Sequence, residues 1–194
     1  MYLENITLKA DALNLTEEEF FNFCSQNKEL KFEMDSNNQI YIMTPTGGIT
    51  GNRNSEIIVQ LGIWNKINKT GYVFDSSTGF NLPNGAMRSP DSAWIAKERW
   101  VGLSIEDRKR FPHICPDFII ELLSESDSLN TIKEKMNEWL QNGCRLAWLI
   151  DFENKTVYIY KPKSEVIQQS FEQALRGEDV LLGFELNLTE FLTT

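Results

Sequence analysis

The segment Phe118-Ile119-Ile120-Glu121-Leu122-Leu123 holds one acid inside an otherwise apolar run. A strand that is apolar on both faces is typical of the centre of a sheet that is covered on both sides. Side chains alternate along a strand, so Glu121 shares a face with Ile119 and Leu123. An ionised carboxylate there is costly unless it is paired or binds a metal ion, which makes Glu121 the first candidate functional residue.

A second acid, Asp91, begins a candidate strand earlier in the chain, from Ser89 to Ala96. Pro90 precedes it and fits a strand start, because proline cannot donate to a sheet ladder. Two carboxylates on adjacent strands can chelate Mg²⁺, which prefers hard oxygen ligands and keeps several waters. Such an ion activates water and stabilises charge on a phosphoryl oxygen. The sequence also permits blander roles: a turn cap for Asp91, and a buried arginine or backbone donors as partners of Glu121.

A cation near the two acids would steady the phosphate and orient the attacking water. Lys133 and Lys135 lie in a predicted helix after Glu121, and they flank opposite edges of its apolar stripe. The stripe consists of Leu129, Ile132, Met136, Trp139 and Leu140. Periodicity therefore does not choose between the two lysines, and either could be an ordinary surface residue.

Two other residues invite a catalytic interpretation that the sequence does not support. Asp117 also follows a proline, but it is four residues from Glu121 on one strand, about 13 Å away at roughly 3.3 Å per residue. One metal ion cannot be chelated by both, so Asp117 is predicted to cap the strand edge. His113, the only histidine, has no partner at a useful spacing and is predicted to be a surface residue. No Ser-His-Asp or Cys-His arrangement is therefore predicted.

The remaining pattern predicts one α/β (α+β) domain over residues 1–194, a mixed sheet with helices on its faces. Thr16 and Glu19 have the spacing of a capping box at a helix start. The two principal helices are predicted from about 52 to 66 and from 128 or 130 to 142, the second ended by Gly143. Short helical pieces are predicted within 97–116. Strands are predicted at 31–33, 40–43, 72–74, 78–82, 89–96, 117–123, 145–150, 156–160 and within 180–192.

The net charge of −9 and the pI of about 4.7 argue against a protein that coats nucleic acid. The negative charge and low pI still allow a nuclease with a local strip of basic residues around its site. The basic residues that could form this strip could also be ordinary solvated surface charges. The candidates are Arg88, Lys97, Arg99, Lys109 and Arg110. The three widely spaced cysteines predict neither a zinc site nor disulfides. The chain has no long apolar run and no signal-peptide pattern, so we expect a soluble, cytoplasmic protein without a membrane partner.

Several short motifs, in a fixed order, resemble the putative restriction endonuclease family, long listed as a domain of unknown function. They are Met43-Thr44-Pro45-Thr46-Gly47-Gly48, Asp75-Ser76-Ser77-Thr78-Gly79-Phe80, Leu82-Pro83-Asn84-Gly85, Arg88-Ser89-Pro90-Asp91, Cys115 to Ser124, Lys135 to Gly143 and Leu146 to Asp151. Each motif is weak alone, and their order makes the set specific. The resemblance covers roughly Thr16 to Leu188.

The resemblance implies a restriction-endonuclease-like fold of the PD-(D/E)xK type, in which acids on neighbouring strands bind Mg²⁺. The lysine of that pattern follows the second acid by two residues, where this chain has Leu123. Family members look as though the lysine has moved to the next helix, in a Lys-x-x-x-aromatic element. Lys135 with Trp139 matches this spacing and Lys133 does not, so the implied site is Asp91, Glu121 and Lys135. The resemblance also offers Glu56 as an accessory acid, with a solvent-facing helix residue as the alternative. Thr50 stands where relatives often have histidine.

The sequence thus predicts an endodeoxyribonuclease that uses Mg²⁺, with Mn²⁺ as the alternative ion, to hydrolyse DNA. A homodimer is plausible because cutting two strands needs two sites. The main alternative is a catalytically inactive nuclease fold that serves as a DNA-binding or assembly module. A sugar hydrolase with two carboxylates is a third possibility, without specific support.

Overall fold

The structure is a computed structural model that describes residues 6–9, 15–124 and 127–192. The strands are β1 (Ile6–Lys9), β2 (Lys31–Met34), β3 (Gln39–Met43), β4 (Gly71–Asp75), β5 (Phe80–Asn81), β6 (Met87–Arg88), β7 (Ser92–Ala96), β8 (Phe118–Leu122), β9 (Leu146–Asp151), β10 (Thr156–Tyr160), β11 (Ile167–Ser170), β12 (Leu175–Arg176) and β13 (Glu185–Leu186). The helices are α1 (Glu17–Gln26), α2 (Gly48–Asn68), α3 (Lys97–Gly102), α4 (Ile105–Arg108) and α5 (Leu129–Gln141), followed by a 3₁₀ turn at Leu188–Phe191.

The central sheet contains six strands in the order β11-β10-β9-β8-β7-β4. β8 and β9 run parallel, with Ile120 opposite Trp148, whereas the other neighbours in this sheet are antiparallel. Every residue of β8 is buried. The predicted mixed sheet with this apolar strand near its centre is therefore confirmed.

Helices α2 and α5 cover opposite faces of the central sheet. The α2 face includes Ile57, Leu61, Trp64, Phe118, Ile120 and Leu122. The α5 face includes Ile95, Ile119, Met136, Trp139, Ala147 and Leu149. Burial of each large apolar side chain contributes about 1.5–3 kcal/mol, so these two layers hold β8 in place. Because Glu121 shares a face with Ile119, its carboxylate is directed towards α5.

A second sheet, in the order β1-β3-β2-β6-β5, packs on the α5 side of the central sheet. Phe80 of β5 belongs to the α5-face cluster and meets Phe74 of β4 edge-on, with ring centroids 5.5 Å apart. β2 pairs with β6 where Met34 lies opposite Met87. Helix α1 covers this sheet through the buried side chain of Phe20. The predicted hairpin of β2 and β3 is confirmed, and its sheet brings β2 towards α5.

Local sequence signals set most of the observed boundaries. Thr16 Oγ1 accepts from the Glu19 amide, and the Glu19 carboxylate accepts from the Thr16 amide, so the predicted capping box is confirmed. Gly143 follows α5 with φ +110°, a left-handed conformation that glycine adopts without strain. The short helical pieces predicted within 97–116 are α3 and α4.

Two predicted boundaries differ most from the structure. The first of the two principal helices was expected from about Asn52, but this helix, α2, begins at Gly48 and uses Gly47 as its N-cap residue. The glycine pair therefore starts the helix instead of separating it from the preceding turn. The strand expected from Ser89 to Ala96 is also too long, because β7 begins only at Ser92. Pro90 lacks an amide hydrogen, which ends the ladder on that side.

None of the helices in the described part of the chain is long and apolar enough to cross a membrane. Cys24, Cys115 and Cys144 are all free thiols, and the last two are buried. Burial raises the pKa of Cys115 to about 12, which keeps this thiol protonated.

Candidate active site

Asp91 lies directly before β7, at a point where β7, β8 and α2 meet. β7 and β8 are antiparallel with Ser92 opposite Ile120, so one further step of this register places Asp91 opposite Glu121. Asp91 Oδ2 accepts a 2.8 Å hydrogen bond from the Leu122 amide, and Oδ1 accepts a 3.1 Å bond from Asn54 Nδ2 on α2. The carboxylate is thus held at the end of β8 by one backbone and one side-chain donor.

Glu121 is 6% exposed and directs its carboxylate at α5. Its Oε1 accepts a 3.2 Å bond from the indole Nε1 of Trp139 and lies 2.8 Å from Lys135 Nζ. Among the described residues, no hydrogen bond is recorded to the second oxygen, Oε2. The neutral indole donor fixes the orientation of this carboxylate and leaves one oxygen available to a ligand.

Lys135 is the lysine that the helix brings to the acids. It lies beside Met136 and one turn before Trp139, both fully buried under the sheet, and its own side chain is 10% exposed. Lys133 instead places its Nζ 4.2 Å from the centroid of the Tyr158 ring, away from the acid pair. Lys135 thus contacts Glu121 whereas Lys133 does not, and the charges of both Lys135 and Asp91 act on Glu121.

Glu33 on β2 is the site residue that the sequence analysis missed. It is 3% exposed, and its Oε1 lies 2.9 Å from Lys135 Nζ and accepts a 3.0 Å bond from the Ser89 amide. Its Oε2 is 3.3 Å from Arg88 Nη1. No short-range motif marks this residue, because its partners come from β6, the following loop and α5. Only the unusual placement of an acid between Phe32 and Met34 hints at a buried role.

Arg88 was one candidate for a local basic strip, with ordinary solvated charge as the alternative, and the solvated alternative is wrong. The side chain is buried between Glu33 and Glu138, with Nε 2.6 Å from a Glu138 carboxylate oxygen. Its guanidinium also lies 5.3 Å from the Tyr41 ring centroid. Arg88 therefore braces the second sheet against α5, and its charge is not available to a phosphate on the surface.

The ionisable groups of the site perturb one another strongly. The pKa of Glu121 is raised to about 7, chiefly by burial; Lys135 lowers it, and the charges of Asp91 and Glu33 contribute to the rise. Burial also raises the pKa of Asp91, against the Leu122 amide that stabilises its charged form. Burial favours a higher pKa for Glu33 too, but the positive charges of Lys135 and Arg88 hold it below the usual value. Conversely, Glu121 and Glu33 raise the pKa of Lys135 despite its burial, so the lysine remains a cation.

The charge balance of this cluster is negative. When all groups are ionised, four carboxylates face two cations, which leaves two excess negative charges; the members are Glu33, Asp91, Glu121, Glu138, Arg88 and Lys135. Within residues 6–9, 15–124 and 127–192, no group of three or more His, Cys, Asp or Glu side chains has the arrangement of a metal site. Asp91 and Glu121 nevertheless fit Mg²⁺, which usually takes one or two carboxylates and completes its shell with water. A divalent cation would also offset the excess charge.

The other predicted residues lie apart from this cluster. Glu56 is exposed on α2, and the α2 residue that reaches Asp91 is Asn54. Asp117 stands before β8, where it accepts a 2.9 Å bond from the Ala96 amide and pairs with Arg99 at 2.9 Å. It therefore caps the far end of the strand, as predicted.

His113 is exposed, as predicted, but the expectation that it has no partner is wrong. Its Nε2 is 2.6 Å from a Glu17 oxygen, and its Nδ1 is 2.6 Å from an Asp107 oxygen. Hydrogen bonds to Asp107 and Glu17 raise the pKa of His113. Both carboxylates come from other elements, so sequence spacing could not reveal them. The imidazole links α1 to the loop after α4.

Comparisons with known proteins agree with this architecture. A search of curated proteins finds no match. A solved structure from Anabaena variabilis, described as a putative nuclease belonging to DUF820, is 19% identical to this chain with a TM-score of 0.74. The alignment covers 92% of this chain and 98% of the other, so the two share a fold.

The model of the family described as "Putative restriction endonuclease" matches residues 17–189. This range contains both sheets from β2 onward, α2, α5 and the whole ionic cluster. The chain therefore belongs to the putative restriction endonuclease family.

Proposed function

We propose that the protein is a Mg²⁺-dependent endodeoxyribonuclease that hydrolyses phosphodiester bonds in DNA. The observation that carries the proposal is the register of β7 and β8, which sets Asp91 opposite Glu121, together with the 2.8 Å contact between Glu121 and Lys135. Membership of the putative restriction endonuclease family supports the same activity.

Asp91 and Glu121 would hold the metal ion, Mg²⁺ or Mn²⁺, through their oxygens. When bound, such an ion supplies Lewis-acid activation of water and stabilises charge on a phosphoryl oxygen. Asn54 and the Leu122 amide orient Asp91, and Trp139 orients Glu121. These donors are neutral, so they fix the carboxylates without neutralising them.

Lys135 would act on the substrate directly. An ammonium group has three donor hydrogens, and the two carboxylate contacts at 2.8 and 2.9 Å occupy two of them. The third is left for a phosphate oxygen or the attacking water. The strong coupling to Glu121 and Glu33 keeps the group protonated, which suits the stabilisation of phosphate charge.

Supercoiled plasmid tests this assignment. Wild-type protein is expected to nick or linearise it with Mg²⁺ or Mn²⁺ and not in EDTA. Glu121→Gln and Lys135→Ala should each lower the rate by about 100-fold or more, as removal of one transition-state donor does elsewhere. Lys133→Ala is the matched control, since Lys133 lies on the same helix but contacts Tyr158.

Three outcomes would contradict the proposal. Cleavage that survives Glu121→Gln would exclude this site, and equal losses in the Lys133 and Lys135 variants would exclude a specific role for Lys135. Binding of DNA by the wild type without any cleavage would instead favour an inactive DNA-binding module. A homodimer, expected for double-strand cutting, is checked by sedimentation of the same preparation.

A further inference from the structure

Arg53 of α2 directly precedes Asn54, the α2 residue that contacts Asp91, and it does not belong to the ionic cluster. Its neighbour Asn54 reaches Asp91 Oδ1, and the Arg53 guanidinium lies over the Phe152 ring, with Cζ 4.2 Å from the ring centroid. Phe152 directly follows β9. Since β8 and β9 are parallel and pair Leu122 with Ile150, Phe152 lies at the sheet edge where β8 ends. Phe152 belongs to the apolar cluster on the α2 face, so the Arg53 guanidinium lies on the α2 side of this sheet edge, whereas the Glu121 carboxylate faces α5.

The charge of Arg53 is not neutralised by the part of the chain that the structure describes. No ion pair is recorded for Arg53, and its buried Nε has no hydrogen-bond partner. Arg88, Arg99, Arg145 and Arg176 each face a carboxylate. Arg108 donates to the Ser104 carbonyl and Arg110 lies over Phe21, so among the described arginines only Arg53 has a buried Nε without a partner. In a protein with a net charge of −9, an unpaired guanidinium beside an acidic site is not explained by folding alone, because a buried N–H without an acceptor costs about 1–3 kcal/mol.

The stacked geometry suits one class of ligand. The Arg53 guanidinium lies over the Phe152 ring, with Cζ 4.2 Å from the centroid, and this contact restrains the guanidinium. A planar fork of donors matches the paired oxygens of a phosphate and binds them bidentately. Of the three guanidinium nitrogens of Arg53, only Nε is both buried and without a hydrogen-bond partner.

We propose that Arg53 binds a backbone phosphate of the DNA substrate beside the Asp91–Glu121 pair. This inference rests on the proposed nuclease function and adds a substrate contact to it. The stacking contact with Phe152 is the preorganising element, and the charge is the recognition element. An exclusively structural arginine would need the stacking but not the charge.

Binding and turnover are measured on wild type, Arg53→Met, Arg53→Lys and the control Arg176→Met. Methionine keeps an apolar cover for Phe152 and removes the charge, and lysine keeps the charge without the fork. Arg176 is 76% exposed and pairs with Glu185 on the β12–β13 sheet. Affinity for a labelled duplex is measured by fluorescence anisotropy in EDTA at several salt concentrations, and kcat/KM for nicking is measured in Mg²⁺ at the same concentrations.

Arg53→Met should weaken binding by about 5- to 100-fold and reduce the slope of log K against log salt by about 0.9, the value for one lost phosphate contact. kcat/KM should show the same change in slope. Arg53→Lys should keep the slope with a smaller loss of affinity, and Arg176→Met should match wild type. Circular dichroism confirms that each variant is folded. If Arg53→Met does not fold, the affinity of Arg53→Lys decides the question, because loss of the fork should weaken binding relative to Arg176→Met, and an unchanged affinity would overturn the inference.

The inference is overturned if folded Arg53→Met keeps the wild-type affinity, salt slope and kcat/KM, or if Arg176→Met changes them equally. It is also overturned if Arg53→Lys loses the salt slope, because the charge is retained in that variant. Failure of the nuclease proposal looks different: wild-type protein then does not cleave DNA at any salt concentration, whether or not it binds DNA.

Discussion

Replacement of Glu121 by glutamine should change how the stability of the protein depends on pH. The pKa of Glu121 is raised from 4.5 to about 7, chiefly by burial. In the unfolded chain this group titrates near 4.5. Between these pH values the folded protein binds more protons than the unfolded chain, so the free energy of unfolding falls as the pH rises. The stabilising contribution is complete below pH 4.5 and is lost as the pH passes through about 7.

The size of the effect follows from the same shift. At about 1.4 kcal/mol per pKa unit, a change from 4.5 to about 7 corresponds to about 3 kcal/mol across the whole window. Solvent screening removes little of this, because Glu121 is 6% exposed. Glutamine has nearly the same shape and keeps an oxygen for the Trp139 and Lys135 contacts, but it does not ionise. The variant should therefore lack the Glu121 contribution to the pH dependence.

Urea unfolding followed by circular dichroism, in EDTA between about pH 5 and pH 8, measures this directly. The free energy of unfolding of Glu121→Gln minus that of wild type should rise with pH, by about 2–3 kcal/mol in total. Groups that titrate identically in both proteins, such as His113, cancel in this difference. A difference that stays constant with pH would refute the assignment of the raised pKa to Glu121.

Four further predictions concern neighbouring groups. Lys135→Met leaves Glu33 and Glu121 without their shared cation, so urea unfolding at pH 8 should show a free energy of unfolding lower by about 3–5 kcal/mol. The loss should be smaller at pH 5, where Glu121 takes up a proton. Equal losses of stability at both pH values would contradict the coupling between Lys135 and Glu121. Asp117→Ala removes the acceptor of the Ala96 amide and should cost about 1–3 kcal/mol, yet nicking per folded molecule should not change, and a specific loss of nicking would assign Asp117 to the site. An NMR titration of His113 should give a pKa above 6.5. The stability that its contacts contribute should be present below pH 6.5 and lost as the pH rises above the folded-state pKa. A measured pKa at or below 6.5 would rule out the paired imidazole. If Asp91 and Glu121 chelate Mg²⁺, adding it at pH 8 should raise the Tm of wild type and not of Glu121→Gln, whereas equal shifts would place the ion elsewhere.

The central strand was predictable because its signal is local. A fully buried strand needs consecutive apolar residues, and the run from Phe118 to Leu123 supplies them within one short segment. The capping box at Thr16 and the glycine stop at Gly143 are equally local, and both are confirmed. The acid pair was also accessible, since adjacent strands made Asp91 and Glu121 plausible neighbours before any coordinates.

The rest of the cluster was not predictable, because its contacts join distant segments. Glu33 and Lys135 are separated by 102 positions and belong to different layers. Arg88 was misassigned for the same reason: a solvated arginine and one buried between Glu33 and Glu138 have the same local sequence pattern. β1 and β11 were missed because they are short edge strands, and most of the β11 side chains are exposed, so they carry little apolar signal.

The contact between Glu33 and Lys135 also constrains the order of events during folding. Glu33 belongs to an early hairpin, whereas its cation lies on a helix that ends at Gln141. A ribosome releases the hairpin first, so the acid is synthesised long before the charge that permits its burial exists. Closing so long a loop is entropically slow. The contact between Glu33 and Lys135 therefore cannot form on the nascent chain before α5 has emerged.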